Sequence, residues 1–301
     1  MKAVIIHHTD ADGYISALVA KTALLERNAD IELLFVPFDY KTPFNKELLQ
    51  TDYLYLLDAS YSPEVLTEIK KVLGDRFIWI DHHETAIKQS RTSNEIFSGV
   101  QSTETAACLL TWRYFYGQFS KAPLVVTQIA LYDTWQHTSD WDTVTYPINL
   151  FVNTFWSDVA SLNPAQLRDD NAILEAATIG QALYAFEQID GERAARASRL
   201  DIIKIAGKEL KVLSCNSTQH NSQFLAEYAV SNNIECDVFM NYHYGPNSWK
   251  ISLYLPEGVD GVHCGELCKS ISSNGGGHKA AAGCNVSDTE FRKLFSTLFD
   301  N

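Results

Sequence analysis

The chain has 301 residues, long for one compact domain and comfortable for two, and its 46% hydrophobic and 20% charged content is that of an ordinary globular protein. A formal net charge of −13 argues against a general duplex-DNA binder, which relies on a basic face and counterion release. No apolar run approaches the length that spans a bilayer, and the apolar stretch in "MKAVIIHHTDADG" is too short for a secretory signal, so no membrane partner and a cytoplasmic location are expected.

In chain order, "KAVIIHH" (2–8) reads as a first strand. A helix over 13–27 follows, with Ile15, Leu18, Val19 and Leu25 at helical spacing. "IELLFVPF" (31–38), "YLYLLDAS" (53–60) and "RFIWID" (76–81) are three further strands. Ser62 and Pro63 suit the N-cap and first position of a helix over 63–73. Ser102 or Thr103 can cap a helix running to about Tyr116, and Pro123 opens another toward Asp133. Strands alternating with helices, and strands that are apolar nearly throughout, argue for a parallel sheet covered on both faces.

Segment 157–206 carries mainly helical patterns, among them the Ala-rich "AILEAATIGQALYAF". From about 207 the pattern changes, with strands at 208–214, 236–243 and 248–255 and helices near 221–232 and 288–299. A glycine-rich segment, "SNGGGHKAAAGC", occupies 273–284. The expected fold is α/β: an N-terminal parallel-sheet domain over 1–165, a helical connector over 166–206 and a smaller α/β domain over 207–301. Six scattered cysteines with no CxxC pair read as free thiols in a reducing compartment. His263 beside Cys264 suggests a metal, but no fourth ligand is evident.

Three of the strands end in polar groups. The first ends in His8, followed by Asp10 and Asp12; the third in Asp58; the fourth in Asp81, His82 and His83. In an open parallel sheet all strand carboxyl ends lie on one edge, where ligands bind, so residues far apart in sequence converge there. Any one of these aspartates is ordinarily a turn residue or a helix cap. Caps do not account for "HTDADG", "LLDAS" and "DHH" together. Crowded carboxylates repel one another unless a cation stands among them, and His with Asp suits Mn²⁺, with Mg²⁺ or Zn²⁺ as alternatives. A pair of ions sharing a carboxylate can bind both the attacking and the leaving oxygen of a phosphoryl transfer.

"HHTDADGYISA", "LLDAS", "DHHET" and "IALYDT" resemble, in order, the four motifs of the DHH-family phosphoesterases, and "GGGHKAAAG" (275–283) resembles the signature of the C-terminal DHH-associated domain. The resemblance covers both ends of the chain and thins over roughly 140–210. It implies a two-metal hydrolase, usually manganese-dependent, with its active site in a cleft between a catalytic and a substrate-binding domain. By motif, His8, Asp10 and Asp58 would hold one metal, and Asp12, Asp58, His82 and Asp133 the other. A metal-bridging hydroxide would attack phosphorus in line. Asp81 would orient a histidine, taken to be His82, and His83 would face the phosphate or the leaving oxygen. His8 rather than His7 gives the HxDxD spacing, which leaves His7 packed or supporting a ligand from behind. Asp133 gains its role only from the motif; by itself it is a solvated helix end.

Glycine amides at Gly275, Gly276 and Gly277 can approach an anion, a helix start after them would add a favourable dipole, and His278 can donate to phosphate. Lys279 reads as exposed. Many family members carry an arginine in an "SLRS"-like context before this loop. Here "WKISLYLPEG" places Tyr254 there, which can stack or donate once but cannot clamp phosphate; Lys250 is open between supplying compensating charge and, as the alternating strand favours, pointing outward. After the last motif, "YDTWQHTSDW" supplies Trp135, His137 and Trp141; packing suits Trp141, and Trp135 and His137 are open between packing and base stacking.

The resemblance points to the nano-RNase and pAp-phosphatase branches: a phosphodiesterase or phosphatase acting on nano-RNA, linear dinucleotides or pAp, an exonuclease of short strands rather than of long duplexes. Cyclic mono- or oligonucleotide hydrolysis is the enzymatic alternative, kept open by Tyr254. Pyrophosphatase is disfavoured by the GGGH signature. A catalytically silent nucleotide sensor is the alternative from a different class. A homodimer is compatible with this reading.

Overall fold

The computed structural model describes residues 1–38, 43–91, 95–217 and 222–295. The chain parts into two compact units, Met1–Tyr184 and Ala185–Asn301. Among the described residues, no helix is long and apolar enough to cross a membrane.

The first unit is built on a five-stranded parallel sheet. Its strands are β1 (Lys2–His7), β2 (Glu32–Pro37), β3 (Tyr53–Leu57), β4 (Phe77–Asp81) and β5 (Ser98–Gln101), in the order β2-β1-β3-β4-β5. Side chains alternate between its faces. Val4, Ile6, Leu54, Leu56, Phe77 and Trp79 pack on α2 (Pro63–Leu73) and α3 (Glu84–Ser90). Ala3, Ile5, Tyr55, Leu57, Ile78 and Ile80 meet α1 (Ala11–Arg27), α4 (Ala107–Tyr116) and α5 (Leu124–Asp133). Burial on both faces explains why these strands are apolar throughout. The short β5, "SGVQ", has only half-buried residues and no apolar run, so the sequence pattern does not reveal it.

Helix α1 is buried from Ala11 to Leu24. Its start sits so close to the end of β1 that a Cβ on Gly13 would lie 2.3 Å from the His8 carbonyl oxygen; only glycine allows this approach. Lys21, in the same helix, is buried, and its Nζ donates to the carbonyls of Val159, Ala160 and Leu162 at 3.1, 2.8 and 2.6 Å, which offsets the cost of burying its charge. Helix α4 begins at Ala107, later than the Ser102 or Thr103 cap expected for it. Its N-cap position is Ala106, which has no capping side chain; a tertiary contact described below takes that role. After α5 come a single π turn (Trp141–Thr145), α6 (Tyr146–Phe155) and the long α7 (Asp170–Arg196).

The second unit holds a six-stranded mixed sheet. Its strands are β6 (Arg199–Ile205), β7 (Lys208–Asn216), β8 (Val238–Tyr244), β9 (Trp249–Tyr254), β10 (Gly276–Gly277) and β11 (Ala281–Val286), in the order β10-β11-β9-β8-β7-β6. Helices α8 (Ser222–Ser231), α9 (Cys264–Ile271) and α10 (Asp288–Leu294) complete it. Residues 199–205, expected inside a helical connector, form a strand because Asp201, Ile203 and Ile205 alternate inward with a period of two. The last part of the helix expected over 288–299 lies outside the described residues. His263 accepts from the Glu266 amide and caps α9, and the six cysteines are free thiols.

Candidate metal centre

The carboxyl ends of β1, β3 and β4 deliver their polar residues to one place. Asp10 caps α1, accepting from the Gly13 amide at 3.0 Å, and also accepts from His8 Nδ1–H at 2.7 Å. His8 Nδ1 lies 3.7 Å from Asp58 Oδ2. His82 Nε2 stands among three carboxylates, 3.2 Å from Asp133, 3.4 Å from Asp58 and 3.7 Å from Asp12. His83 Nδ1 is 3.7 Å from Asp58. Three groups of donor atoms lie close enough to hold a cation: His8, Asp10 and Asp58; Asp12, His82 and Asp133; and Asp58, His82 and His83. Asp58 and His82 each belong to two of them.

Asp58 follows β3 with φ at 54°, a left-handed conformation that a residue with a Cβ adopts at a cost. Its amide is held by the Ile80 carbonyl at 2.9 Å, so the neighbouring strand fixes this turn. Asp12 has both oxygens engaged: Oδ2 accepts from the Ala107 amide at 2.8 Å and Oδ1 from the Cys108 amide at 2.7 Å. Asp12 is thus the cap that α4 lacks in its own sequence, and each oxygen keeps a lone pair for a cation.

Asp81 Oδ1 accepts from the amides of His82 and His83 at 2.8 and 3.1 Å and from His83 Nδ1–H at 2.7 Å. The ring it orients is therefore that of His83, not of His82; the carboxylate folds back over a two-residue turn and reaches the ring two positions on. His7 is buried, donates Nδ1–H to the His8 carbonyl and meets Tyr14 edge-on, a packing role. Glu84 lies on the exposed first turn of α3, paired with Lys88.

The electrostatics of the cluster are those of a site short of positive charge. Burial, with Asp12, Asp10, Asp133 and Asp81 nearby, pushes Asp58 well above the ordinary carboxylate range. Burial, with Asp10 nearby, raises Asp12. Burial, with Asp12 and Asp10, pushes Asp133 up to about 7. Burial lowers His82, whereas the hydrogen bond to Asp81 raises His83. Burial pushes Asp10 up, but the hydrogen bond and charge of His8 outweigh it and leave a net lowering. Asp58 Oδ1, Asp133 Oδ2 and Asp81 Oδ2 are buried and find no hydrogen-bond partner among the described residues. Buried carboxylate oxygens without partners, set among imidazole nitrogens, are the donor set a divalent cation of the Mn²⁺ or Mg²⁺ type fits.

In the second unit, Gly276 and Gly277 pair with Gly283 and Ala282, and Gly277 has φ at 138°, where a Cβ would lie 2.6 Å from the Ala282 Cα. The expected helix start after the glycines is not there: Ala281–Val286 is β11, because pairing with β9 overrides the helix propensity of "KAAA". The adjoining helix start is that of α9, whose Cys264 and Gly265 amides donate to the carbonyls of Lys279 and His278 at 2.9 and 3.0 Å. The loop's carbonyls, not an anion, occupy those amides. The His278 amide donates to Ala281 at 2.8 Å, and Tyr254, at the end of β9, pairs with Ala281. Lys250 is exposed, and Lys279 faces Asp260 at 3.5 Å.

Residues 2–132 match the family model described as the DHH family, N-terminal domain, so Asp133 stands one residue beyond the match. No curated protein matches the chain in sequence. Three solved structures share its fold. A pGpG-specific phosphodiesterase, PggH from Vibrio cholerae, is 14% identical with a TM-score of 0.52, over 99% of this chain and 97% of that one. The DHH domain of a protein described as a member of a ribosomal-protein family is 14% identical with a TM-score of 0.59, over 99% and 85%. The protein RecJ from Thermus thermophilus, in complex with Mn²⁺, is 14% identical with a TM-score of 0.52, over 98% of this chain and 51% of its own.

Proposed function

Residues 2–132 match the DHH-family model, and from that premise we propose that the chain is a metal-dependent phosphoesterase that hydrolyses short linear nucleotides, dinucleotides foremost, with two Mn²⁺ ions. The observation that carries this reading is Asp58: buried, shared by two donor groups, and left with an unpartnered oxygen. His8, Asp10 and Asp58 would hold one ion, and Asp12, Asp58, His82 and Asp133 the other. When bound, the ions supply the positive charge that polarises a phosphoryl group and activates water.

The chain's own groups do the rest. Asp81 keeps the proton on His83 Nδ1 and fixes the ring, which directs Nε2 to a phosphoryl or leaving oxygen. As imidazolium, favoured by Asp81, His83 can donate to the oxygen that departs. Gly275, Gly276, Gly277, His278 and Tyr254 of the second unit are the proposed substrate contacts. The pGpG specificity of PggH, a full-length fold neighbour, supports a linear dinucleotide as the first substrate to try. A cytoplasmic location, nano-RNase activity and a homodimer belong to the same reading.

The test is a panel of 5′-labelled dinucleotides, longer oligomers, pAp, cyclic nucleotides and pyrophosphate, assayed with Mn²⁺. Dinucleotides should turn over fastest. Turnover of pyrophosphate alone would end the proposal, and equal rates on long and short strands would end the claim about length. Binding without turnover at saturating Mn²⁺ would make the protein a sensor.

A further inference from the structure

We infer that Trp135 is a stacking platform for a nucleobase of the substrate, a specificity determinant set beside the phosphate-handling cluster; this rests on the function proposed above. Trp135 follows Asp133 by two residues, so their Cα atoms are at most about 7 Å apart. Asp133 itself reaches His82 at 3.2 Å. An indole at this position is within reach of the base of a nucleotide whose phosphate lies among the cluster residues.

The surroundings of Trp135 are those of a seat. Tyr132 stacks on Trp141 at 5.5 Å and 11°, and His137 stacks on Trp141 at 3.8 Å and 13°, which makes a ladder of three nearly parallel rings. Trp135 crosses all three steeply, at 71° to Tyr132, 75° to His137 and 75° to Trp141. Ladder rings spend their faces on one another, so they meet the indole with their edges. One side of Trp135 is thereby supported while the residue stays 62% exposed. Trp141 in the same ladder is 6% exposed and is a packing residue.

Trp135 is the left-handed residue that closes α5. Trp135 has φ at 55°, a conformation that disfavours any residue with a Cβ and that glycine or asparagine would fill more easily. Its amide is tied to the Tyr132 carbonyl at 3.0 Å, and the next amide, that of Gln136, to Leu131 at 2.9 Å. These bonds close the helix and account for the backbone; what they leave unaccounted for is a large apolar ring, exposed and without compensating burial, where glycine or asparagine would serve. A base provides that compensation, because every base has a π face to cover the open side of the ring.

The experiment compares wild type with Trp135→Ala, Trp135→Leu and Trp135→Phe in the full chain. The substrates are a 5′-phosphorylated dinucleotide and its abasic analogue, with Mn²⁺. Wild type should prefer the base-bearing substrate in KM. Ala and Leu should shrink that preference by roughly 5- to 100-fold, the range of one base–aromatic stack, and Phe should restore most of it. Should the Ala variant fail to fold, the Leu variant decides, since it keeps the apolar volume and removes the π face. AMP should also quench the emission of metal-stripped wild type, and that component should vanish in Trp135→Phe. An unchanged KM preference, or a loss that Leu rescues as well as Phe does, would overturn the inference. If wild type cleaves no dinucleotide, the proposed function fails, and the AMP quenching alone then decides whether Trp135 is a base platform.

Discussion

Asp133→Asn should stabilise the metal-stripped protein at neutral pH while weakening its hold on metal. Burial and neighbouring carboxylates push the Asp133 carboxyl from an ordinary 3.8 up to about 7. A carboxyl whose pKa is raised by folding costs nothing below the unfolded value, costs progressively more up to the folded value, and costs a constant amount above it. For a rise from 3.8 to about 7 the ceiling is roughly 4 kcal/mol. The side chain is 25% exposed and its charge is shared with Asp12 and Asp58, so about half of that, ~2 kcal/mol, is the working figure. For a unit of 184 residues this is a rise in midpoint of about 5 °C.

The assay is thermal unfolding after EDTA treatment, from about pH 4 to 8.5, followed by the emission of the buried Trp79 and Trp112 in the first unit. The advantage of Asp133→Asn should be near zero at about pH 4, about a third of its maximum at about pH 5 and complete above about pH 7. With Mn²⁺ the order should reverse, because wild type gains the binding free energy of the metal and the variant gains less. An advantage equal at about pH 5 and pH 8, or a variant less stable than wild type at about pH 8 in EDTA, would refute the electrostatic account and leave Asp133 as a structural group.

Asp58→Ala or His82→Ala should remove most phosphoesterase activity, on the order of a thousandfold or more, with the circular dichroism of the fold retained; near-normal turnover in either would mean the donor groups are misassigned. Asp81→Asn keeps an oxygen that can accept from His83 Nδ1–H but removes the negative charge that favours the imidazolium, so the His83 midpoint in an NMR titration of metal-stripped protein should move down and kcat should fall by roughly 10- to 100-fold. Lys21→Met leaves the carbonyls of Val159, Ala160 and Leu162, two of them in buried bonds, without their donor, an expected loss of about 3 kcal/mol read from urea midpoints, and a loss near zero would show that water reaches that turn. Gly13→Ala places a Cβ against the His8 carbonyl, which must shift the start of α1; a drop in Mn²⁺ affinity by isothermal titration should accompany a destabilisation of about 1–3 kcal/mol.

What could be read from the sequence was whatever had a period or lay at a strand end. Four parallel strands follow from their apolar runs: β1, β3 and β4 are buried on both faces, while the edge strand β2 is apolar but only half-buried to exposed. The convergence of His8, Asp10, Asp12, Asp58, His82 and His83 needed only the rule that parallel strands share a carboxyl edge. What escaped depended on partners far along the chain. The cap of α4 is Asp12, 95 residues away, so local capping signals at Ser102 and Thr103 misplaced the helix start. β5 has no apolar run, and β11 looks helical until β9 is there to pair with it. The preference of Asp81 for His83 over His82 is decided by the path of a two-residue turn, which spacing alone does not specify.

The costs in this chain are not spread evenly, and their distribution bears on function. Among the described residues, four non-glycine positions have positive φ: Asp58, Trp135, Ala206 and Asn233. Ala206 lies in the tight turn between β6 and β7, and Asn233 just beyond the end of α8, where such conformations serve chain reversal. Trp135 closes α5 by the same pair of bonds as Asn233, so its backbone also serves chain reversal, but it places an exposed indole where glycine or asparagine would do. Asp58 has no such excuse: it is a buried carboxylate at a strand end. Among the described residues, three of the seven buried side-chain atoms without partners are oxygens of Asp58, Asp81 and Asp133 in the same cluster. Strain, raised carboxyl pKa values and unpaired oxygens would each be removed by ordinary substitutions if folding alone were at stake. Their concentration at one edge of one sheet is what selection for a charged ligand produces, and Asp133, one of these carboxylates, stands two residues from the proposed base seat.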